Sequence, residues 1–290
     1  YGVFAFIGAI STKIIGQTDL IIAGAAIGVS LVREYSIGAS LVMYSMTFVR
    51  MIGRTFFPSI QKAVASNRMG DAQHLYDRQL RLTFGFGIPL YVGMAVYSHP
   101  FINLWMLQDG FGPISVNISA QIMTILALAS LPRLFISPSF GFLAAKGYVH
   151  VNAFISLSEA VINLGFSLIF ILVFDFGLAG IALGTLLARL LIPSIIIPFY
   201  HAKMLGAKSG HKQIVVIFKA LLAGGILFIE CKLVLGACPV TSWLLLFVHA
   251  FWTLIFWLPI SMVFLVPNDV IRLWKAKAAT HVRCLRMKNH

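Results

Sequence analysis

Ionisable side chains interrupt the long apolar runs of this sequence at a few positions, and these residues are the first candidates for chemistry. Five of them lie deep inside a run: Lys13, Asp19, Arg133, Glu159 and Arg189. An ionisable group at the centre of a bilayer costs roughly 3 kcal/mol or more, so it tends to face a cavity or a partner. Guanidinium groups recognise phosphate through a planar fork of donors. With three bases against two acids, the set favours an anionic ligand.

Helical spacing places several polar residues on common faces, because residues three, four or seven apart share one side of a helix. The clearest stripe follows steps of four, three and four residues through Asn152, Ser156, Glu159 and Asn163. Another stripe joins Thr12, Gly16 and Asp19, and a neighbouring one joins Lys13 and Gln17. Further aligned sets are Ser130 with Arg133 and Ser137, and Thr185 with Arg189. We expect these faces to turn away from lipid towards a shared interior.

The same residues also allow a purely structural interpretation. Asp19 could be a buried acid held by Thr12 or by an arginine of another helix, with no ligand involved. Glu159 could form a structural ion pair with Arg133 or with Arg189. Both interpretations stay open at the level of the sequence.

Other polar residues carry weaker signals. Arg50 and Arg54 lie one helical turn apart near the end of a run, which is typical of side chains that extend to the membrane surface. The histidines, His249 among them, and the three cysteines show no spacing typical of metal ligands or of a disulfide framework. The sequence therefore predicts neither a metal site nor a cofactor.

Composition indicates the elements that must position these residues. The chain is 59% hydrophobic and 11% charged, with a mean hydropathy of +0.92. Ordinary soluble domains are roughly a quarter charged, and a helix needs about 20 apolar residues to cross a bilayer. The sequence predicts an all-α integral membrane protein with eight transmembrane helices, at 3–28, 35–58, 82–106, 115–143, 149–173, 177–200, 214–236 and 241–266.

Basic residues predict the orientation, because Lys and Arg accumulate in cytoplasmic loops. With eight alternating spans, fourteen of them fall on one side and only Arg33 falls on the other. Both ends are therefore expected in the cytoplasm, with the chain in the cytoplasmic (inner) membrane. The net charge of +13 is divided among these loops without a nucleic-acid-binding signature, so no nucleic acid is expected. The basic tail, 267–290, is expected to lie along anionic membrane lipids.

Four segments, in this order, resemble a known family: "TDLIIAGAAIGVSLVREYSIGASLV", "FPSIQKAVASNRMGDAQHLYDRQLR", "FLAAKGYVHVNAFISLSEAVINLGFSLIFI" and "DFGLAGIALGTLLARLL". They are similar to the second half of polysaccharide flippases of the multidrug/oligosaccharidyl-lipid/polysaccharide exporter (MOP) superfamily. Each segment is degenerate alone, and the order and spacing carry the resemblance over nearly the whole chain.

The resemblance implies a transporter that flips an isoprenoid-pyrophosphate-linked oligosaccharide for polysaccharide or lipopolysaccharide biosynthesis. Its fold would be two six-helix bundles around a central cavity. This chain would supply the second bundle at 1–204, two additional helices at 205–266 and the cytoplasmic tail. Since Tyr1 stands at the edge of an apolar run without an initiator methionine, the chain is expected to be a C-terminal fragment. Its partners would be the lipid-linked oligosaccharide, the missing N-terminal half and a polysaccharide polymerase or other assembly proteins.

On this resemblance, Arg133, Arg189 and Lys13 would attract the pyrophosphate. Asn163, with the acids Asp19 and Glu159, would hydrogen-bond sugar or carry a coupling ion.

Four other functions remain as alternatives. A cation-coupled multidrug (MATE-type) antiporter would need more acids than bases in its cavity, and a lipid-linked peptidoglycan precursor flippase is barely excluded. A membrane-embedded enzyme is disfavoured, because the sequence has no Asp-x-Asp pair and no paired carboxylates at a helix end. A scaffold protein would satisfy every deep charge by structural pairing.

Overall fold

Helices form from the apolar runs because backbone N–H and C=O groups in hydrocarbon must be paired within the segment. The computed structural model describes residues 2–28, 31–107, 111–205 and 207–265. Its helices are α1 (Gly2–Ile22, continued by a π-helical turn, Ala23–Ile27), α2 (Val32–Ala65), α3 (Met69–Val96), α4 (Ser98–Met106), α5 (Pro113–Ser130), α6 (Arg133–Ala145), α7 (Val149–Leu172), α8 (Gly177–Leu205), α9 (Ala207–Ala237) and α10 (Trp243–Leu265). The predicted tail, 267–290, lies outside the described residues.

Transmembrane spans account for most of these helices. Seven are long and apolar enough to cross a membrane, and the count reaches eight if the bent pair α3–α4 forms one span. The prediction of an all-α membrane protein is confirmed, and several predicted bounds agree closely with the helices. The span predicted at 149–173 is the helix Val149–Leu172.

The third predicted span, 82–106, is wrong as a single helix. It divides at Tyr97 into α3 and α4, which meet at an angle of 66°. Pro100 explains the break, because a proline ring clashes with the carbonyl four residues earlier, here that of Val96, and cannot donate to it. The helix α3 also begins earlier than predicted, at Met69, so the polar connector and the span are continuous.

The fourth predicted span, 115–143, is also two helices. The break lies at Leu131 and Pro132, so Ser130 ends α5 and Arg133 begins α6. Because Ser130 and Arg133 belong to different helices, the predicted alignment of the two on one helix face is wrong. Pro132 lacks the N–H that would continue the ladder, and the N–H of Leu131 bonds the carbonyl of Leu128 instead.

Close helix packing holds the bundle together. The helix α7 packs along α8 and α1, α2 packs against α3 and α5, and α9 packs against α8, α10 and α3. Gly184 permits the α7–α8 contact, because a Cβ added there would lie 2.7 Å from the backbone nitrogen of Ser167. Small residues let two helices approach this closely. The division at residue 204 between a six-helix bundle and two additional helices stays a prediction.

Candidate functional site

Two arginines share one buried carboxylate at the centre of the bundle. Glu159 of α7 is 1% exposed. Its Oε1 lies 2.5 Å from Nη2 of Arg133, the first residue of α6, and 3.6 Å from Nε of Arg189 on α8. The sequence offered these arginines as alternative partners, and the structure pairs the acid with both. Two positive charges therefore surround one negative charge.

The broken helix supplies a further partner for Arg189. Its Nη1 donates a hydrogen bond of 3.2 Å to the carbonyl of Ala129, in the last turn of α5. Carbonyls at a helix C-terminus carry partial negative charge, which favours a cation there. One guanidinium thus links α5, α7 and α8.

Asp19 forms a second polar centre with neutral donors. Tyr35 and Thr185 donate to Oδ2 at 3.0 Å and 3.2 Å, and Nδ2 of Asn163 donates to Oδ1 at 3.2 Å. Three neutral donors hold Asp19, and Arg189, an arginine of another helix as predicted, is among its electrostatic neighbours. The side chain of Thr12, the other predicted partner, lies outside the described part.

The hydroxyl of Thr185 has more oxygen acceptors around it than it can donate to. The hydroxyl of Thr185 has one hydrogen, but three acceptors lie within 3.3 Å of it: Oδ2 of Asp19, Oδ1 of Asn163 and the carbonyl of Ile181. Clustered oxygens of this kind are the ligands that hard cations prefer. Among the described residues, no group of three or more His, Cys, Asp or Glu is arranged to hold a metal ion.

Both centres border one cavity of about 550 Å³. The cavity lies among α1, α2, α3, α5, α6, α7 and α8. Its polar lining residues include Asp19, Tyr35, Arg50, Tyr91, Arg133, Ser137, Asn152, Ser156, Thr185 and Arg189. Glu159 and Asn163 are buried behind this wall at 1% and 2% exposure. A ligand in the cavity would therefore meet arginines and hydroxyls before it met the carboxylate of Glu159.

Five of the six predicted site residues come together here. Arg133, Glu159 and Arg189 form the charged centre, and Asp19 and Asn163 form the second one. One helical turn separates the two centres on each of two helices. Glu159 and Asn163 are four residues apart on α7, and Thr185 and Arg189 are four residues apart on α8.

Lys13, the sixth predicted residue, lies outside this group. It is exposed on α1 and does not line the cavity. Six residues separate it from Asp19, which places the two about 120° apart around a helix. Gln17, predicted on the same stripe as Lys13, is also exposed.

Arg50 is the residue that sequence reasoning assigned elsewhere. It was expected to extend to the membrane surface, but the structure places it on the cavity wall, with Arg133 among its electrostatic neighbours. No ion pair involving Arg50 is found in the described part of the chain. Met46, one helical turn before Arg50 on α2, is buried, whereas Arg50 itself is exposed, so its burial offered no signal. The cavity lining therefore has three arginines and one acid, Asp19, with Glu159 behind the wall.

A second cavity, of about 310 Å³, has a different character. Its wall comes from α3, α5, α6, α9 and the α5–α6 break, and its lining residues include Phe84, Ile88, Leu134 and Phe228. No charged residue contributes to this lining. The first cavity is thus lined by charged and polar residues, and the second is apolar.

Comparisons with solved structures agree with this architecture. The inward closed conformation of the lipid II flippase MurJ is 16% identical with a TM-score of 0.71, covering 92% of this chain and 53% of that chain. A MOP superfamily transporter from Pyrococcus furiosus is 18% identical with a TM-score of 0.59, covering 81% and 52%. MATE in complex with MaD3S is 15% identical with a TM-score of 0.62, covering 80% and 53%. The chain thus spans about half the length of these structures, and at these identities the likeness concerns the fold.

The sequence comparison identifies the family. No curated protein sequence matches the chain. The family model described as lipid II flippase MurJ matches residues 3–263. The predicted MOP superfamily is confirmed, whereas the matching branch is the peptidoglycan precursor flippase rather than the polysaccharide flippase. Since the match extends over nearly the whole sequence, the chain belongs to the MurJ family of lipid II flippases.

Proposed function

We propose that this chain forms part of a transporter that flips an isoprenoid-pyrophosphate-linked sugar across the cytoplasmic membrane. The observation that carries the proposal is the excess of arginine over acid at the polar cavity. The family match favours the lipid-linked peptidoglycan precursor as the substrate, and a lipid-linked oligosaccharide for polysaccharide synthesis is the second candidate. The function is transport, without enzymatic chemistry.

The arginines would bind the pyrophosphate in a defined order. The side chain of Arg133 is 18% exposed and that of Arg189 is 10% exposed, so Arg133 is the more accessible of the pair. Arg50 has no acid partner among the described residues and lines the same cavity. Pyrophosphate would therefore contact Arg50 and Arg133 first and compete with Glu159 for the guanidinium of Arg133.

The Asp19 centre would hold the coupling cation. Its oxygen ligands would be those of Asp19, Asn163 and Thr185, one helical turn from the charged centre. A cation there would change the hydrogen bonds of α7 and α8, which also carry Glu159 and Arg189. Orientation with the basic loops in the cytoplasm would let the cavity receive substrate made on that side.

The multidrug antiporter is less well supported. A cationic drug requires an excess of acids in the cavity, and the described residues provide the opposite. The fold does not separate these functions, because a MATE transporter shares it.

A flipping assay tests the proposal. The transporter containing this chain would be reconstituted in vesicles with a fluorescent lipid-linked peptidoglycan precursor and, separately, a lipid-linked oligosaccharide. Accessibility of the sugar to a membrane-impermeant reagent would report its arrival at the opposite leaflet. Loss of one charge-assisted contact, worth about 1.5–3 kcal/mol, predicts that Arg133→Ala slows flipping roughly ten-fold or more.

Arg54→Ala is the matched control, because Arg54 is an exposed arginine one turn from Arg50 that does not line the cavity. This variant should flip the lipid-linked substrate at the same rate as the unaltered protein. Undiminished flipping by both Arg133→Ala and Arg189→Ala would exclude the arginine mechanism. Faster flipping of the oligosaccharide than of the peptidoglycan precursor would favour the second substrate.

A further inference from the structure

A second group of polar residues, buried except for the half-buried Glu230, lies away from the polar cavity, in the seam where α9 and α10 pack against the α3–α4 bend. Its members are Tyr97, Glu230, Cys231, His249 and Thr253. The rings of Tyr97 and His249 meet edge to face at 5.6 Å between centroids. Sγ of Cys231 lies 3.5 Å from Oγ1 of Thr253. Tyr97 also interacts electrostatically with Glu230 and Cys231, so the five side chains form one cluster.

Several polar atoms of this seam cluster have no partner. Both carboxylate oxygens of Glu230, the hydroxyl of Tyr97 and Nδ1 of His249 are inaccessible and form no hydrogen bond of standard geometry within the described residues. Thr253 and Cys231 lie near Tyr97, and Cys231 lies near Glu230, so the contacts inside the cluster are loose. Tyr97 and His249 are only 7% and 3% exposed. Most buried polar groups in proteins are hydrogen-bonded, because an unpaired one costs roughly 1–3 kcal/mol. Four such atoms in one seam indicate a missing ligand rather than a packing defect.

The charge of Glu230 is not balanced by a neighbouring base. Glu230 is the only acid in the sequence between Asp175 and Asp269. None of the ion pairs in the described part of the chain includes it. Lys232, two residues later, is exposed, and its ammonium lies 5.8 Å from the ring centroid of Phe228. The seam therefore holds a carboxyl group whose partner must carry positive charge.

The tight packing around the cluster limits that partner. Cys231 and Thr253 are 0% and 3% exposed, and apolar side chains such as Leu227 and Leu246 are buried on the same two helices. Hydroxyl, carboxylate and imidazole groups together suit a small cation better than an organic one.

We propose that the seam cluster binds one monovalent cation, a proton or an alkali-metal ion, at the carboxyl group of Glu230. Tyr97, Thr253 and His249 supply the remaining contacts. The site is separate from the polar cavity and lies on the pair of helices that the sequence predicts to be additional to the bundle. Tyr97 is the residue at which α3 and α4 meet at an angle. A cation bound to its hydroxyl therefore acts on the angle between these two helices.

Infrared difference spectroscopy of the full chain in phospholipid vesicles tests the proposal. One arm exchanges mildly acidic for mildly alkaline buffer at constant salt. The other arm exchanges choline chloride for sodium or potassium chloride at constant pH. A carboxyl signal should change in one arm and be absent from Glu230→Gln, which keeps the size of the side chain. A response to acid alone identifies the proton, and a response to salt alone identifies the alkali-metal ion.

Two further variants distinguish binding from a change in folding. Glu34→Gln is the matched control, since Glu34 is another acid with little exposure but its Oε1 accepts a hydrogen bond from Ser115. It should retain the Glu230 signal unchanged. Tyr97→Phe removes one hydroxyl and should shift the frequency of that signal. Difference spectra that are the same for Glu230→Gln and the unaltered protein in both arms would overturn the proposal.

Discussion

At the scale of single residues, Glu159 has the most demanding role. It is buried and neutralises two arginines that would otherwise repel each other. Breaking a buried ion pair by removing one partner leaves an uncompensated charge, which is far more costly than losing an exposed pair.

Glu159→Gln is therefore expected to lower the free energy of unfolding by about 3 kcal/mol. Asp71→Asn provides the comparison, because it breaks the ion pair between Arg68 and Asp71, whose side chains are 57% and 61% exposed. That change should cost less than about 1 kcal/mol. Reversible unfolding in mixed micelles would measure both, and similar losses would contradict the buried pairing.

Much of the site was predictable at this scale because helical spacing alone placed five polar residues on inward faces. The failures have a common cause. Lys13 was expected at the cavity but does not line it, and Arg50 was expected at the membrane surface but lines the cavity. Both side chains are long, so a small rotation of the helix about its axis decides whether each one reaches the cavity or the exterior. The sequence gives the spacing along each helix but not the rotation, which the packing of α1 and α2 against their neighbours sets.

At the scale of elements, proline shows why hydropathy predicts where a span lies better than it predicts whether that span is one unbroken helix. Pro58, Pro89, Pro138 and Pro259 all lie inside helices without ending them. Pro132 ends α5, and there the carbonyl of Ala129 accepts a hydrogen bond from Arg189. A tertiary partner for a freed carbonyl lets a break persist, and that partner lies far away in the sequence.

The α7–α8 contact gives a prediction for the elements themselves. Gly184→Ala would press a methyl group against the backbone of Ser167, so we expect it to lower the free energy of unfolding by about 1–3 kcal/mol. Gly165→Ala is the matched control on α7, because a Cβ there meets no atom within 4 Å. It should be neutral or stabilising, since alanine is favoured over glycine in helices. Thermal unfolding of the two variants in detergent would measure the difference, and equal midpoints would argue against close packing at Gly184.

At the scale of the whole molecule, the chain combines a polar cavity rich in arginine with a mostly apolar exterior. Large exposed side chains such as Phe247, Phe251 and Leu258 on α10 suit contact with acyl chains. The membrane class and the superfamily were predictable, because composition and the order of the motifs are properties of the whole sequence. The branch was not, because the segments that carried the resemblance do not distinguish a polysaccharide carrier from a peptidoglycan precursor flippase.

Binding of phosphate is the most direct test of the whole account. Native mass spectrometry would compare the affinity of the transporter containing this chain for an isoprenoid pyrophosphate and for the corresponding isoprenol, which lacks phosphate. Two charge-assisted contacts of about 1.5–3 kcal/mol each predict that the pyrophosphate binds at least roughly 100-fold more tightly. Arg133→Ala combined with Arg50→Ala should remove most of this preference. Equal affinity of the unaltered protein for the two lipids would contradict the claim that the cavity arginines recognise the pyrophosphate.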